Sequence, residues 1–241
     1  MFQRRSKRCL FLFFKGKCRR QFFAFHFEVT FKRWLGYQEP IFRFPVSLQK
    51  NSMHLSLRLP AKTAWQPHIS SQNHLPFSYE PLHTTQQNQA IPDFDNDFLR
   101  VKIGEGETDF HQACEAIRRW QMFPAAWTKI FPENAPIEAG TTVAMCARFL
   151  GIWWGLPCRI LYVVNEPGRF GFAYGTLPGH VEQGEELFLV ELENGEVFYQ
   201  IKAISRPRHW LAKLGYPLMR LLQSKFRRDS AKDMKIKLNR P

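Results

Sequence analysis

Residues 171–192, GFAYGTLPGHVEQGEELFLVEL, combine a histidine with two adjacent carboxylates at the start of an apolar segment. The histidine is His180, and the carboxylates are Glu185 and Glu186. A histidine titrates near neutral pH, and a carboxyl group in an apolar environment can titrate in the same range. His180 and Glu186 are therefore candidates for an acid–base pair, or for polar groups that orient a bound ligand.

Other catalytic and metal-binding signatures are absent from the sequence. It contains no GxSxG, HExxH or P-loop motif, and GEGETD is not a dinucleotide loop because Asp109 occupies the position of the third glycine. His68, His74 and His83 lack the close spacing of metal ligands. We therefore expect the protein to bind no metal and no cofactor. His180 and Glu186 are the only residues of the sequence that indicate a catalytic function.

Asn194–Gly195 lies between two alternating apolar runs and predicts a two-residue β-hairpin turn. With this turn, Val190 faces Tyr199 and Glu186 faces Ala203, and directly opposite residues share one face of a sheet. That face is apolar throughout and should be the inner face; it carries Phe188, Val190, Leu192, Val197, Tyr199, Ile201 and Ala203. Glu186 is then predicted to point inward. Glu185 falls on the outer face, where we expect a solvated surface charge.

An inward carboxylate at the end of an apolar face requires compensation, because an unpaired buried charge is costly. Glu186 should accept a hydrogen bond, have a raised pKa or border a wetted cavity. A pair with Arg159 or Arg206, or capping of local N–H groups, would give it a structural role instead. Together with aromatic residues of the same face, the residues predicted to bind a ligand are Phe172, Tyr174, His180, Glu186 and Tyr199.

The surrounding elements predict an α+β fold. An apolar stripe predicts a helix over 108–120, and TTVAMCARF, CRILYVV and RFGFAYGT are β-rich. After Pro207, leucines at helical spacing predict a long C-terminal helix, which Gly215 and Pro217 should bend early. Residues 60–97 are expected to form irregular connecting chain. The predicted architecture is a curved antiparallel sheet packed by the C-terminal helix.

The net charge of +13 is concentrated in the N-terminal fifth of the chain. Residues 1–50 hold 12 Lys and Arg and two Glu, a net of +10, and eleven of the 23 phenylalanines. This segment suits a nucleic-acid or membrane-binding arm, an organellar transit peptide, or an extension upstream of a start at Met53. We favour the extension. The expected organisation is then a basic, Phe-rich segment at 1–52, one domain over 53–231 and a basic tail at 232–241.

Five scattered cysteines without a CxxC pair favour reduced thiols over a disulfide framework. The longest N-terminal apolar run, Cys9 to Phe14, is far shorter than the roughly 20 residues that span a membrane. These features predict a cytoplasmic protein with no transmembrane segment.

Three segments resemble an uncharacterised family, domain of unknown function 1990, also called uncharacterised protein family 0548: FHQACEAIRRWQMF, CRILYVVNEPGRFGFAYGTLPGHVEQGEELFLVE and AISRPRHWLAKLGYPLMRLLQSKFRRD. The similarity covers about Met53 to Ala231, and FGFAYGTLPGHVEQGEE is its most specific part. The resemblance implies no established activity. The order of elements also resembles the helix-grip fold of START and Bet v 1 proteins, an analogy that concerns the fold alone.

The leading functional hypothesis is a non-catalytic binder of a small hydrophobic ligand, held in a pocket between the sheet and the C-terminal helix. One alternative is an enzyme that uses His180 and Glu186 as an acid–base pair. Another is binding of nucleic acid or an anionic membrane through residues 1–50, with nucleic acid disfavoured because the rest of the chain is nearly balanced in charge. The oligomeric state is left open.

Overall fold

A computed structural model of the protein describes residues 54–59, 62–87, 90–208 and 213–238. The expectations for residues 1–52 lie outside these ranges. The helices are α1 (Lys62–Gln72), α2 (Thr84–Gln87), α3 (Gly106–Arg118) and α4 (Tyr216–Leu238). The strands are β1 (His54–Ser56), β2 (Asp95–Glu105), β3 (Thr128–Phe131), β4 (Thr142–Phe149), β5 (Ile152–Glu166), β6 (Arg169–Thr176), β7 (Glu182–Glu193) and β8 (Glu196–Pro207).

The strands form one curved antiparallel sheet in the order β2-β8-β7-β6-β5-β4-β3, and β1 pairs with β5. The predicted hairpin register is confirmed, since Val190 pairs with Tyr199 and Glu186 with Ala203. Asn194 and Gly195 adopt the positive φ angles that this turn requires, 53° and 80°. With α4 packed on the sheet, the structure confirms the predicted α+β class, a curved antiparallel sheet packed by the C-terminal helix.

The main core lies between the inner face of the sheet and helices α3 and α4. Phe172 and Phe188 are fully buried there, and Phe123 packs against both Phe188 and Phe226 of α4. Burial of each such side chain contributes about 1.5–3 kcal/mol. Aromatic side chains of the inner face therefore hold α4 against the sheet.

Helix α3 confirms the helix predicted over 108–120, with a start two residues earlier and an end at Arg118. Its apolar stripe packs into the core through Phe110, Cys114 and Ile117. The carboxylate of Asp109 accepts a hydrogen bond from the backbone N–H of Glu105 at 2.8 Å, at the N-terminus of the helix.

Helix α4 is fixed to the edge strand β2 by charged side chains. Asp97 accepts hydrogen bonds from both terminal nitrogens of Arg220, each at 2.7 Å, and lies 2.9 Å from Arg227. Tyr216 donates to Asp95 at 2.6 Å. The predicted early irregularity is present, because a turn at Gly215 separates residues 213–214 from the continuous helix.

Residues 60–97 differ from the expected irregular chain, because they include α1, α2 and the start of β2. Described residues of this segment that precede β2 pack on the outer face of the sheet. Trp65 of α1 packs with Phe131 and Trp153, and Tyr79 and Phe94 pack on Ile204 of β8. The prediction of connecting chain was wrong because α1 contains Pro67 and has almost no amphipathic pattern, so periodicity could not reveal it.

None of the described helices is long and apolar enough to cross a membrane. Cys114, Cys146 and Cys158 are buried free thiols. Burial raises the pKa of the Cys114 thiol to about 11, so it behaves as a small apolar side chain.

Candidate ligand-binding site

A cavity of about 260 Å³ lies between the inner face of the sheet and the N-terminal half of α4. Its walls are mostly apolar, formed by β4, β5, α4 and Trp127, which precedes β3. The principal apolar lining residues are Trp127, Met145, Trp154, Leu156, Leu222 and Phe226.

Small residues on the inner face leave the space that α4 does not fill. Ala147 of β4, Ala203 of β8 and Gly184 of β7 all line the cavity. Gly184 has a φ of 148°, and a Cβ atom there would lie 1.9 Å from the carbonyl oxygen of Ile204. Glycine is required at this position because any Cβ atom would collide with the backbone of β8.

Glu186 stands at the polar end of the cavity. It is half-buried on the inner face, as the register predicts, and its Oε2 accepts a hydrogen bond from the hydroxyl of Tyr174 at 2.8 Å. Tyr174 is its direct neighbour across the β6–β7 pair. Burial raises the pKa of the Glu186 carboxyl to about 7, and Tyr174 and Arg227 offset part of that effect. Oε1 has no hydrogen-bond partner among the described residues.

A second carboxyl group, that of Glu182, lies on the same face of β7 four residues earlier. The side-chain amide of Gln223 donates to Glu182 Oε1 at 2.6 Å and to Ser205 at 3.1 Å. Burial raises the pKa of Glu182 to about 7. The cavity therefore presents two carboxyl groups that titrate near neutral pH.

His180 lines the same cavity and is only 6% exposed. The backbone N–H of Glu182 donates a hydrogen bond to its Nδ1 at 2.9 Å, which orients the ring. No direct hydrogen bond joins the ring to Glu186. In the described ranges, no group of three or more His, Cys, Asp or Glu side chains is arranged to hold a metal ion.

Glu185 is not the solvated surface charge that the sequence predicts, since it is 2% exposed. The register prediction was right in placing it on the outer face, but residues 79–85 cover that face. Its Oε2 accepts hydrogen bonds from the Tyr79 hydroxyl at 2.6 Å and the His83 N–H at 3.0 Å. Its Oε1 accepts from the N–H and the hydroxyl of Thr85 at 2.6 and 2.7 Å. Glu185 therefore anchors the covering segment to the sheet.

The structure brings together three of the five predicted ligand-binding residues, Tyr174, His180 and Glu186, around the cavity. Phe172 and Tyr199 lie fully buried in the adjacent core, outside the cavity lining. Phe172 packs edge-on against Trp120 with ring centroids 4.8 Å apart, and the Tyr199 hydroxyl hydrogen-bonds Ser230 of α4 at 2.8 Å.

The alternative pairing of Glu186 with an arginine of the sheet is wrong. Arg159 donates to the carbonyls of Gln72 and Asn73, at 2.8 and 2.9 Å. Arg206 donates to the side chain of Gln183 at 3.1 Å and lies over the ring of Phe94. Arg159 is therefore held by the C-terminal end of α1, and Arg206 by Gln183 of β7 and by Phe94.

The model of one family, described as a domain of unknown function (DUF1990), matches residues 78–233, which include every cavity-lining residue named above. The chain belongs to the DUF1990 family. A UPF0548 protein of Dictyostelium discoideum is 32% identical to it over 199 residues, which cover 73% of this chain and 92% of that protein.

Two solved structures are similar to this DUF1990 chain in shape. A hypothetical protein from Helicobacter pylori aligns with a TM-score of 0.44 and 11% identity. The alignment covers 66% of this chain and 94% of the Helicobacter pylori chain. Human STARD10 aligns with a TM-score of 0.41 and 8% identity, and the alignment covers 73% of this chain and 80% of the STARD10 chain.

Several cavity residues of the DUF1990 domain were missed by sequence reasoning. Glu182 lies an even number of residues before Glu186 on one strand, so the alternation of faces was enough to find it. Gln223 and Arg227 are four residues apart on one face of α4, but their partners depend on how the helix docks. The indole N–H of Trp154, also on the cavity wall, is buried without a partner among the described residues.

Proposed function

We propose that the protein binds a small, predominantly hydrophobic ligand in the cavity beneath α4, without catalysing a reaction. The observation that carries the proposal is an apolar cavity with polar groups gathered at one end. Binding sites for small molecules characteristically combine apolar walls with a few polar groups that fix orientation. The volume of about 260 Å³ favours a ligand smaller than a typical drug molecule.

The energetic argument rests on the apolar walls. Trp127, Leu156 and Phe226 face a space that holds water or a ligand, while neighbouring side chains of the same face are fully packed. Each Å² of apolar surface removed from water contributes roughly 25 cal/mol, so a ligand that covers these walls gains affinity without specific contacts. The polar end then selects among apolar ligands.

Native mass spectrometry of the protein purified from its own cells tests the proposal. We expect a mass increment from a bound small molecule, which organic extraction releases and which is absent after denaturation. Protein that carries no increment and binds no member of a library of small amphiphiles in calorimetry would overturn the proposal.

Filling the cavity should abolish binding without unfolding the protein. Ala147→Phe places a ring in the space between β4 and α4, so we expect ligand affinity to fall at least tenfold, while the free energy of unfolding stays equal or rises. Isothermal titration and urea unfolding measure the two effects. Arg148→Gln is the matched control, because the Arg148 side chain is exposed on the same strand and outside the cavity lining. Unchanged affinity in Ala147→Phe would place the ligand elsewhere.

An acid–base enzyme is the second candidate, because His180 and Glu186 line one cavity and the Glu186 pKa of about 7 suits proton transfer near neutral pH. The absence of a direct hydrogen bond between them, and the backbone contact at His180 Nδ1, favour the binder. Incubation of the extracted ligand with fresh protein distinguishes the two. Conversion that is lost in His180→Ala would establish the enzyme, and recovery of unchanged ligand supports the binder.

We propose a cytosolic location, which the unpaired thiols of Cys114, Cys146 and Cys158 support. The alternative of nucleic-acid or anionic-membrane binding concerns residues 1–50, which lie outside the described ranges. Mapping the N-terminus of the native protein by mass spectrometry tests whether that segment is present. Salt-dependent DNA binding that is lost when the chain begins at Met53 would establish the alternative.

A further inference from the structure

The polar end of the cavity contains more carboxyl groups than cations. Asp97 of β2 and Glu182 and Glu186 of β7 line it, and Arg227 of α4 is the cation of the lining. Asp95 and Arg220 lie beside this group, because Arg220 is 3.6 Å from Asp95 and 2.7 Å from Asp97. Fully ionised, the cluster would therefore hold four negative and two positive charges.

Both arginines are already paired, and their partners are the aspartates. Arg220 makes a two-point contact with Asp97, and Arg227 lies 2.9 Å from the same carboxylate. No Lys or Arg in the described part of the chain lies within ion-pair distance of Glu182 or Glu186. The hydrogen bonds to these two glutamates come from neutral donors, Tyr174 and the amide of Gln223.

Each glutamate also keeps one oxygen without a hydrogen bond in the described contacts, Oε1 of Glu186 and Oε2 of Glu182. These oxygens are acceptors beside an apolar cavity, and a charged acceptor gains most from a charged donor. A neutral hydroxyl would supply a weaker hydrogen bond, and a carboxylate would add a fifth negative charge.

We infer that the ligand carries a protonated amine, which Glu186 and Glu182 bind at the polar end while its apolar remainder fills the cavity. The inference rests on the proposed ligand-binding function and names the chemical class of the ligand. The amine supplies several N–H donors to the two free oxygens and compensates the charge that the arginines leave unbalanced. Both carboxyl groups have a pKa of about 7, so their ionised forms are unfavourable in the cavity. A bound cation would stabilise those ionised forms.

Three probes of equal chain length test the inference by isothermal titration at pH 8: octylamine, octanol and octanoate. The amine is protonated at this pH, as a lysine side chain is. We expect octylamine to bind about ten- to hundredfold more tightly than octanol, as a charge-assisted hydrogen bond in a half-buried site allows. Octanoate should bind most weakly.

The outcomes separate the inference from the proposed function. Equal affinities of octylamine and octanol, or tightest binding of octanoate, would overturn the amine assignment and leave the hydrophobic binder standing. Failure of all three probes, and of longer and shorter homologues, would overturn both.

Variants locate the amine within the site. Glu186→Gln keeps an acceptor for Tyr174 and removes the charge, so the preference for octylamine over octanol should fall at least tenfold while octanol affinity changes little. Glu182→Gln should act in the same direction. Glu193→Gln is the control, because that side chain is exposed on the same strand and should leave the preference unchanged. A preference that survives in the Glu182→Gln, Glu186→Gln double variant would also overturn the inference.

Discussion

Glu185→Ala is expected to lower the free energy of unfolding by about 3–5 kcal/mol, a large effect for one side chain. The carboxylate is 2% exposed and accepts four hydrogen bonds from Tyr79, His83 and Thr85. Its removal leaves those buried donors unsatisfied, at about 1–3 kcal/mol for each that water cannot reach. Urea unfolding, compared at equal m-values, measures the loss.

Two further variants serve as comparisons for Glu185→Ala. Glu185→Gln retains the shape but puts an amide NH₂ against donors of residues 79–85, so it should also destabilise the protein, and more than an exposed control does. Glu193→Ala, on the same strand with an exposed side chain, should change stability by less than about 0.5 kcal/mol. A Glu185→Ala shift no larger than that control would mean that the covering segment does not depend on this carboxylate.

Glu186 could be predicted from the sequence because its placement depends on local information. Asn194–Gly195 defines the turn, and the pairing then propagates along eight residue pairs to Glu186 and Ala203 without any long-range contact. The apolar alternation of both strands selects the inner face. The turn and the apolar alternation together are sufficient to predict the hairpin, the face that each of its residues occupies and the general position of the candidate site.

Glu185 could not be predicted in the same way, since a register shows which face a residue occupies but not what covers that face. Its partners Tyr79 and Thr85 are 106 and 100 residues away in the chain. The covering segment has little periodicity, and α2 is only four residues long. Its contacts are tertiary, and a single sequence carries little trace of them.

The sequence also could not predict which residues of the inner face pack in the core and which line the cavity. Phe172 and Tyr174 are two residues apart on one strand and therefore share a face of the sheet, yet only Tyr174 lines the cavity. The difference depends on where α4 crosses the sheet, and Asp97 fixes that position through Arg220 and Arg227. Ion pairs between distant elements follow from docking and do not appear as a local pattern.

Glu186→Gln is expected to stabilise the ligand-free protein at pH 8, by about 1–2 kcal/mol, in contrast to substitution of Glu185. The pKa of Glu186 is about 7 in the folded protein, against 4.5 for the ordinary carboxyl, because burial disfavours the ionised form. Ionisation at pH 8 therefore destabilises the folded state relative to the unfolded chain. The neutral amide removes that cost and keeps the acceptor for Tyr174.

The sign of the pH dependence follows from proton binding. Between pH 4.5 and 7 the folded state holds a proton on Glu186 that the unfolded chain has released, so the stability of the unmodified protein falls as the pH rises through this window. The Glu186→Gln curve should coincide with it near pH 4.5 and lie above it by pH 8. A residual slope remains from Glu182, whose pKa is also raised.

Urea unfolding of both proteins from pH 4.5 to 8 measures the two curves. The groups that face Glu186 are Tyr174 on β6, Glu182 on β7, Asp97 on β2 and Arg227 on α4, and none of them is altered by the substitution. Parallel curves would show that Glu186 titrates as an exposed carboxyl and that the polar end of the cavity is well hydrated. Divergence above pH 6, with weaker octylamine binding in the same variant, would show that this carboxylate is retained at a cost to stability because it serves the ligand.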